Sequence, residues 1–90
     1  MTLTNDIYIQ NKRGLHARAS AKLVRMAEKF DAEVFVIKSD VRVTGTSIMG
    51  LLLLAASKGE QITIETSGPE KQEAMEAVLG LINNLFDEDQ

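Results

Sequence analysis

The chain has 90 residues, 44% of them hydrophobic, a formal net charge of −3, one histidine and no cysteine. This length fits one domain, residues 1–90, with a small core. The acidic balance argues against nucleic-acid binding, and the missing cysteines exclude disulfides and thiolate metal sites. A lone histidine also argues against a zinc site built by the protein, so we expect no metal.

No apolar run approaches the roughly 20 residues that cross a bilayer. The first residues, Met1-Thr2-Leu3-Thr4-Asn5, lack the charged and then apolar pattern of a signal peptide. We therefore expect a cytoplasmic protein that does not insert into membranes.

The first third of the chain predicts a strand followed by a helix. Ile7 and Ile9 alternate with polar residues, which is typical of a half-buried strand, and this strand ends near Asn11-Lys12-Arg13-Gly14. From residue 17 to residue 29 the apolar spacing becomes helical. One face of this helix is small or apolar: Ser20, Leu23, Val24 and Ala27.

The next segment predicts a β-hairpin. Residues 33–38 are rich in β-branched side chains, Ser39 and Asp40 can turn the chain, and residues 41–43 alternate as a short partner strand. In this register Phe35 and Ile37 point away from the core, an exposed apolar pair that the sequence does not explain.

A short helix and a strand follow. Ser47 suits an N-cap, the leucines that come after it suit a helix, and Lys58-Gly59 is a signal for its C-terminal end. Residues 61–66 alternate cleanly and predict a strand.

The last predicted helix covers residues 69–86, with Pro69 in its first turn and Glu70 close to its positive end. Its buried stripe consists of Ala74, Val78, Leu81, Ile82 and Leu85. Residues 87–89 form an acidic end that we expect to fray.

The predicted order is βαββαβα, which indicates an α+β fold with two layers. Clean alternation in the strands favours a four-stranded antiparallel sheet with one covered face. We expect the helices at residues 17–29 and 69–86 to cover that face.

One short run carries the chemistry, Gly14-Leu15-His16-Ala17-Arg18-Ala19-Ser20. A lone histidine most often has a structural role or none. This one lies between a strand and a helix, where unpaired N–H groups and the helix dipole attract anions and disfavour a positive ring. The guanidinium of Arg18 can bind phosphoryl oxygens through two N–H donors. The run therefore predicts a histidine that carries a phosphoryl group.

The groups of a self-sufficient enzyme are missing from the sequence. There is no glycine-rich nucleotide loop, no second histidine for a triad and no carboxylate pair placed by a motif. The chemistry would then belong to partner proteins, and we expect no cofactor. A regulatory binding module that leaves His16 unused is the alternative; a small hydrolase is disfavoured because no nucleophile or metal ligands accompany His16.

At these residues the chain resembles HPr, the histidine-containing phosphocarrier family of the bacterial phosphotransferase system. Gly14-Leu15-His16-Ala17-Arg18 resembles the family's active-site motif, and Thr46-Ser47-Ile48-Met49-Gly50-Leu51 its second signature, around a regulatory serine. Gly59, Ile62-Thr63-Ile64 and Ser67-Gly68 match the expected last strand and turn. The resemblance covers essentially the whole chain.

The resemblance implies an open-faced β-sandwich and a relay of phosphoryl groups. His16 would accept the group on Nδ1 from Enzyme I and pass it to an EIIA-type protein, and Arg18 would bind the phosphoryl group. Arg13 and Ala17 are further candidates for phosphoryl contact. Ser47 would be the target of an ATP-dependent regulatory kinase, an HPr kinase/phosphorylase, although its suitability as an N-cap would also explain it.

Two positions depart from the family pattern. Ala19 replaces the usual proline after the arginine, and Arg13 stands where a small polar residue is common. The acidic end resembles the nitrogen-regulatory branch, NPr, whereas the region around Ser47 resembles carriers that a kinase regulates, so the branch stays open.

The short helix after Ser47 is too apolar to bury every side chain. We expect Ile48, Met49 and Leu52 to form an exposed docking surface for partners, since methionine adapts to several surfaces. Leu51 and Leu54 would then belong to the core. We expect a monomer.

Overall fold

The computed structural model describes residues 1–88 and confirms the βαββαβα order. The strands are β1 (Leu3–Tyr8), β2 (Glu33–Lys38), β3 (Val41–Thr44) and β4 (Gln61–Ser67). The helices are α1 (Ala17–Ala27), α2 (Ile48–Leu54) and α3 (Lys71–Asn83), and a 3-10 turn follows at Leu85–Asp87. None of the helices in this part of the chain has the length and apolar character needed to span a bilayer.

The four strands form one antiparallel sheet in the order β1-β4-β2-β3. Strand β4 lies inside the sheet, where Ile64 faces Asn5 of β1 on one side and Val36 of β2 on the other. Side chains alternate along it, so that Ile62 and Ile64 are almost completely buried while their neighbours are not. The predicted antiparallel sheet with one covered face is confirmed, as is the open-faced sandwich.

The core lies between this sheet and the helices. Leu23 of α1, Leu51 of α2 and Val78 of α3 are fully buried, as are Val36 and Ile64 of the sheet. The buried faces that the helical spacing predicts for the first and last helices are therefore confirmed at Leu23 and Val78.

The other face of the sheet carries the apolar pair that the sequence left unexplained. Phe35 and Ile37 are half-buried. The guanidinium of Arg42 lies 3.7 Å from the centre of the Phe35 ring, and its Nε donates to Glu65 Oε1 at 3.2 Å. A cation stacked on the ring shields it from water, which explains why Phe35 is tolerated there.

The predicted helix ends need correction. α1 ends at Ala27, two residues before the predicted end. α3 begins at Lys71 after the N-cap Glu70, so Pro69 lies before the helix and not in its first turn. α3 also ends at Asn83 rather than at residue 86.

The chain leaves α3 because the next residues turn with positive φ. Leu85, Phe86 and Asp87 have φ values of 58°, 53° and 63°, outside the right-handed helical region. This turn brings Phe86 back into the core, where it is fully buried, while Leu85 is only half-buried. Phe86 therefore takes the buried position that the helical spacing predicted for Leu85.

The predicted end of α2 at Gly59 is wrong. The helix ends at Leu54, and Ala55 adopts the left-handed C-cap conformation (φ 51°, ψ 39°). Lys38 Nζ donates to the carbonyls of Leu54 and Ala55 at 3.1 and 3.2 Å, so a side chain satisfies the free end. Gly59 serves a later turn, where its N–H donates to the carbonyl of Ile9 at 2.8 Å.

Candidate functional site

A tight glycine turn holds the segment between β1 and α1 in place. Gly14 has a φ of +63°, and the next amide, Leu15 N–H, donates to the carbonyl of Ala56 at 2.9 Å. A Cβ at Gly14 would lie 2.3 Å from that same carbonyl oxygen. Only glycine allows this close approach, and the segment is thereby fixed to the loop that follows α2.

His16 is the N-cap of α1. Its backbone is extended (φ −74°, ψ −179°), its carbonyl accepts from Ser20 N–H at 2.8 Å, and its side chain makes no capping bond. The ring is therefore available for other contacts. The first N–H groups of an α-helix have no partner within the helix, so this end of α1 attracts negative charge.

The imidazole is held on one side only. Its exposed fraction is 22%, and Nε2 is hydrogen-bonded to Oε2 of Glu88. Within residues 1–88, Nδ1 has no hydrogen-bond partner. The same residues contain no group of three or more His, Asp or Glu side chains that could hold a metal ion.

Glu88 is itself held by a buried side chain. Asn11 is fully buried, and its Nδ2 donates to Glu88 Oε1 at 3.0 Å and to the carbonyl of Gly14 at 2.8 Å. Partial burial raises the pKa of the Glu88 carboxyl, but hydrogen bonds from Asn11 and His16 and the nearby charge of Arg13 outweigh it. The net pKa lies below its usual value, so Glu88 is a carboxylate at neutral pH.

The prediction that residues 87–89 fray is wrong for the part that the structure describes. Lys22 Nζ donates to the carbonyl of Phe86 at 2.8 Å, Asn84 Nδ2 donates to Asp87 Oδ1 at 2.7 Å, and Glu88 meets His16. The buried Phe86 ring anchors the whole turn. Asp89 lies outside the described residues.

Sequence reasoning missed Asn11 and Glu88 as parts of the site. Asn11 stands in the polar run between β1 and Gly14, where an asparagine normally indicates an exposed turn. Glu88 is 72 positions away from His16, and no local spacing relates the two. Only the folded chain brings the three side chains together.

The predicted phosphoryl-binding residues are close to His16 in sequence and face solvent. Ala17 and Arg18 are exposed in the first turn of α1, and Arg13 is exposed in the turn before it. Within residues 1–88, Arg18 makes no hydrogen bond or ion pair. No group of this part of the chain therefore competes with an incoming anion for its guanidinium, and its role stays a prediction. Ala19, in place of the family's proline, is fully buried inside an intact first turn of α1.

Ser47 is the N-cap of α2, as predicted. Its Oγ accepts from Gly50 N–H at 3.0 Å. The helix leaves an apolar surface exposed, with Ile48 at 40%, Met49 at 69% and Leu53 at 76% exposure, and Leu52 half-buried.

Part of the sequence interpretation of α2 is confirmed by burial. Leu51 and Leu54 belong to the core, as predicted. Leu53 was not predicted as exposed, because a run of four leucines does not show which one faces outward. Helix α2 packs against α1, and the adjoining residue Ala56 binds the turn that carries His16, so this apolar surface neighbours the site.

The fold and the site define a class of small α+β domain that presents one histidine at a helix N-terminus beside an apolar helix surface. The family model described as "PTS HPr component phosphorylation site" matches residues 3–84. The chain therefore belongs to the HPr family of phosphocarriers of the phosphotransferase system, which confirms the resemblance drawn from the sequence.

Relatives from both branches of the family are similar to this chain. Phosphocarrier protein HPr of Neisseria meningitidis is 54% identical over 86 residues, covering 96% of this chain and 97% of the relative. Phosphocarrier protein NPr of Escherichia coli K12 is 41% identical over 90 residues, covering 99% and 100%. The crystal structure of HPr-C-His from Thermoanaerobacter tengcongensis superposes with a TM-score of 0.93 at 36% identity, covering 98% of this chain and 99% of that one.

Proposed function

We propose that this protein, acting as a cytoplasmic monomer, accepts a phosphoryl group on Nδ1 of His16 from phospho-Enzyme I and passes it to an EIIA-type protein. The observation that carries the proposal is the partly exposed ring at the N-terminus of α1, bonded through Nε2 and unpartnered at Nδ1 within residues 1–88. In a neutral imidazole one nitrogen holds the proton and the other the lone pair. A carboxylate at Nε2 favours the proton there and leaves the lone pair on Nδ1.

Transfer needs no further reactant. The Nδ1 lone pair forms a bond to phosphorus, the bond between phosphorus and the donor breaks, and its electron pair returns to the donor. Onward transfer reverses these roles, with Nδ1 as the leaving group. The positive end of α1 and the guanidinium of Arg18 stabilise the phosphoryl oxygens, and Arg13 and the amide of Ala17 are proposed to assist.

The strength of these contacts suits a carrier. Interactions at a helix terminus are worth about 0.3–1 kcal/mol each, so a few of them bind the phosphoryl group without trapping it. A much tighter site would oppose the second transfer.

Labelling tests the proposed acceptor. With phosphoenolpyruvate and Enzyme I, the protein should gain one phosphate that is labile in acid and stable in base, and His16→Ala should abolish it. A His16→Ala variant that is labelled as fast as the native chain would contradict the proposal. Complexes that form without His16, together with no phosphohistidine in the native chain, would favour the regulatory binding module instead.

Arg18 can be tested with a matched variant on the same helix. Because a charge-assisted contact to the phosphoryl group is lost, Arg18→Ala should slow transfer about tenfold. Arg25→Ala, also exposed but in the last turn of α1, should leave the rate unchanged. Equal rates for the two variants would remove Arg18 from the site. Circular dichroism should show an intact fold in both.

We also propose that Ser47 is a regulatory phosphorylation site for an ATP-dependent HPr kinase/phosphorylase, where the cell has one. A phosphate on its Oγ would add about two negative charges beside Ile48, Met49 and Leu52. We propose that these three residues dock Enzyme I. Charge placed among apolar side chains has to be desolvated when the partner binds, so phosphorylation should weaken docking.

Ser47→Asp mimics this charge and should raise the KM for phospho-Enzyme I about tenfold while changing kcat little. Ser47→Ala should cost about 1 kcal/mol of stability through the lost cap, with KM nearly unchanged. Gln72→Glu, in the first turn of α3, adds the same charge outside the α2 surface and should leave KM as it is. A KM for Ser47→Asp equal to that of Gln72→Glu would contradict docking at α2.

A further inference from the structure

The turn that carries Glu88 is held in a conformation that needs support. Leu85, Phe86 and Asp87 all have positive φ, a backbone conformation that is unfavourable for residues with a Cβ. Burial of the Phe86 ring and the bond from Lys22 Nζ to the Phe86 carbonyl provide that support. The turn is therefore a defined structure, and it ends with the Glu88 carboxylate against the His16 ring.

Asn11 joins this carboxylate to the turn that carries His16. One of its Nδ2 hydrogens goes to the carbonyl of Gly14 and the other to Glu88 Oε1. Glu88 Oε2 is left to accept from His16 Nε2. Because Asn11 is fully buried, its amide is fixed, and the direction of the carboxylate is fixed with it.

We propose that Glu88, oriented by Asn11, is a positioning residue that fixes the His16 ring in the tautomer with the proton on Nε2, so that the Nδ1 lone pair faces the incoming phosphoryl group. This inference rests on the proposed function and deepens it. The carboxylate meets Nε2 and not Nδ1, so it leaves the accepting atom open.

The same contact assists the transfer itself. When Nδ1 bonds to phosphorus while Nε2 keeps its proton, the ring becomes positively charged. A carboxylate hydrogen-bonded to Nε2–H stabilises that charge as it develops. The proton stays on Nε2 throughout, and a cationic ring is also the better leaving group in the onward transfer.

The tautomer can be measured without any partner. In ¹⁵N NMR spectra of the native chain above neutral pH, His16 should show a pyrrole-type Nε2 and a pyridine-type Nδ1. Glu88→Ala should move the spectrum towards a mixture of both tautomers. Glu73→Ala removes an exposed carboxylate on α3, outside the turn that carries Glu88, so it should leave the spectrum unchanged. An identical His16 spectrum in Glu88→Ala and the native chain would overturn the proposal.

Transfer kinetics show whether Glu88 positions the His16 ring or obstructs the transfer. With phospho-Enzyme I, Glu88→Ala should lower kcat about tenfold with KM within about twofold, and Glu88→Gln, which keeps an acceptor but no charge, should fall between it and the native chain. Glu73→Ala should match the native chain. A faster Glu88→Ala variant would show that the carboxylate obstructs transfer. If the native chain is not labelled at all, the proposed function fails, and the NMR result still decides whether Glu88 sets the tautomer.

Discussion

Gly14→Ala is expected to lower the free energy of unfolding by about 3 kcal/mol. A φ of +63° costs a residue with a Cβ about 1–2 kcal/mol. The new Cβ would also lie 2.3 Å from the Ala56 carbonyl oxygen and 3.0 Å from Ser57 Cα, both backbone atoms that cannot swing aside. The turn must move, which weakens the bond from Leu15 N–H to Ala56, worth about 1 kcal/mol. Urea denaturation measures the loss.

Two other glycines provide matched controls for that variant. Gly59→Ala shares the positive φ, at +90°, but its Cβ would meet no atom within 4 Å, so it should cost only about 1 kcal/mol. Gly80→Ala, exposed within α3 and equally free of neighbours, should add about 0.5–1 kcal/mol of stability. A cost for Gly14→Ala no larger than that for Gly59→Ala would show that the close approach to Ala56 is unimportant.

Phe86→Ala is expected to cost about 4 kcal/mol, because it removes the largest fully buried side chain and leaves a cavity. It should also free the turn at Leu85–Asp87, since burial of that ring holds three residues at positive φ. Thermal and urea unfolding measure the first effect, and faster hydrogen exchange at the Asp87 and Glu88 amides reports the second.

Leu53→Ala is the control for this substitution. It removes an apolar side chain that is 76% exposed and should change stability by less than about 0.5 kcal/mol. A similar loss in both variants would mean that the Phe86 ring is not the anchor of the turn. Unchanged hydrogen exchange at the Glu88 amide in the Phe86→Ala variant would also contradict an anchoring role for the ring.

The sheet and the N-terminal cap of α2 were predictable because their signals are local. Period-two alternation at Ile62 and Ile64 depends only on which side of a strand faces the core. Ser47 was predictable because a serine before an apolar run satisfies the first amides of a helix wherever that helix packs.

The ends of α2 and α3 were not predictable, because distant residues determine them. Lys38, on β2, supplies the donors at the end of α2, so Ala55 can take the left-handed position that the sequence suggested for Gly59. At the end of α3, the space in the core for the Phe86 ring outweighs the helical preference of the segment. Neither effect leaves a trace in the neighbouring sequence.

The site was predictable only as far as its motif extends. The spacing from Gly14 to Arg18 indicated an anion site and, by resemblance, the family that the comparisons confirm. Glu88 and Asn11 meet the ring from positions that no motif connects. The contact that distinguishes Nε2 from Nδ1, the hydrogen bond to Glu88, could therefore be found only in the folded chain.

The strand order β1-β4-β2-β3 has a consequence for how the chain folds. Strands β2 and β3 are neighbours in sequence, whereas β1 pairs residues more than 50 positions apart, such as Tyr8 with Gln61. Closing so long a loop costs entropy before any contact compensates for it, which slows folding. The His16 turn lies between β1 and α1 and bonds to Ala56, so we expect the reactive segment to take its native shape after the local hairpin has formed.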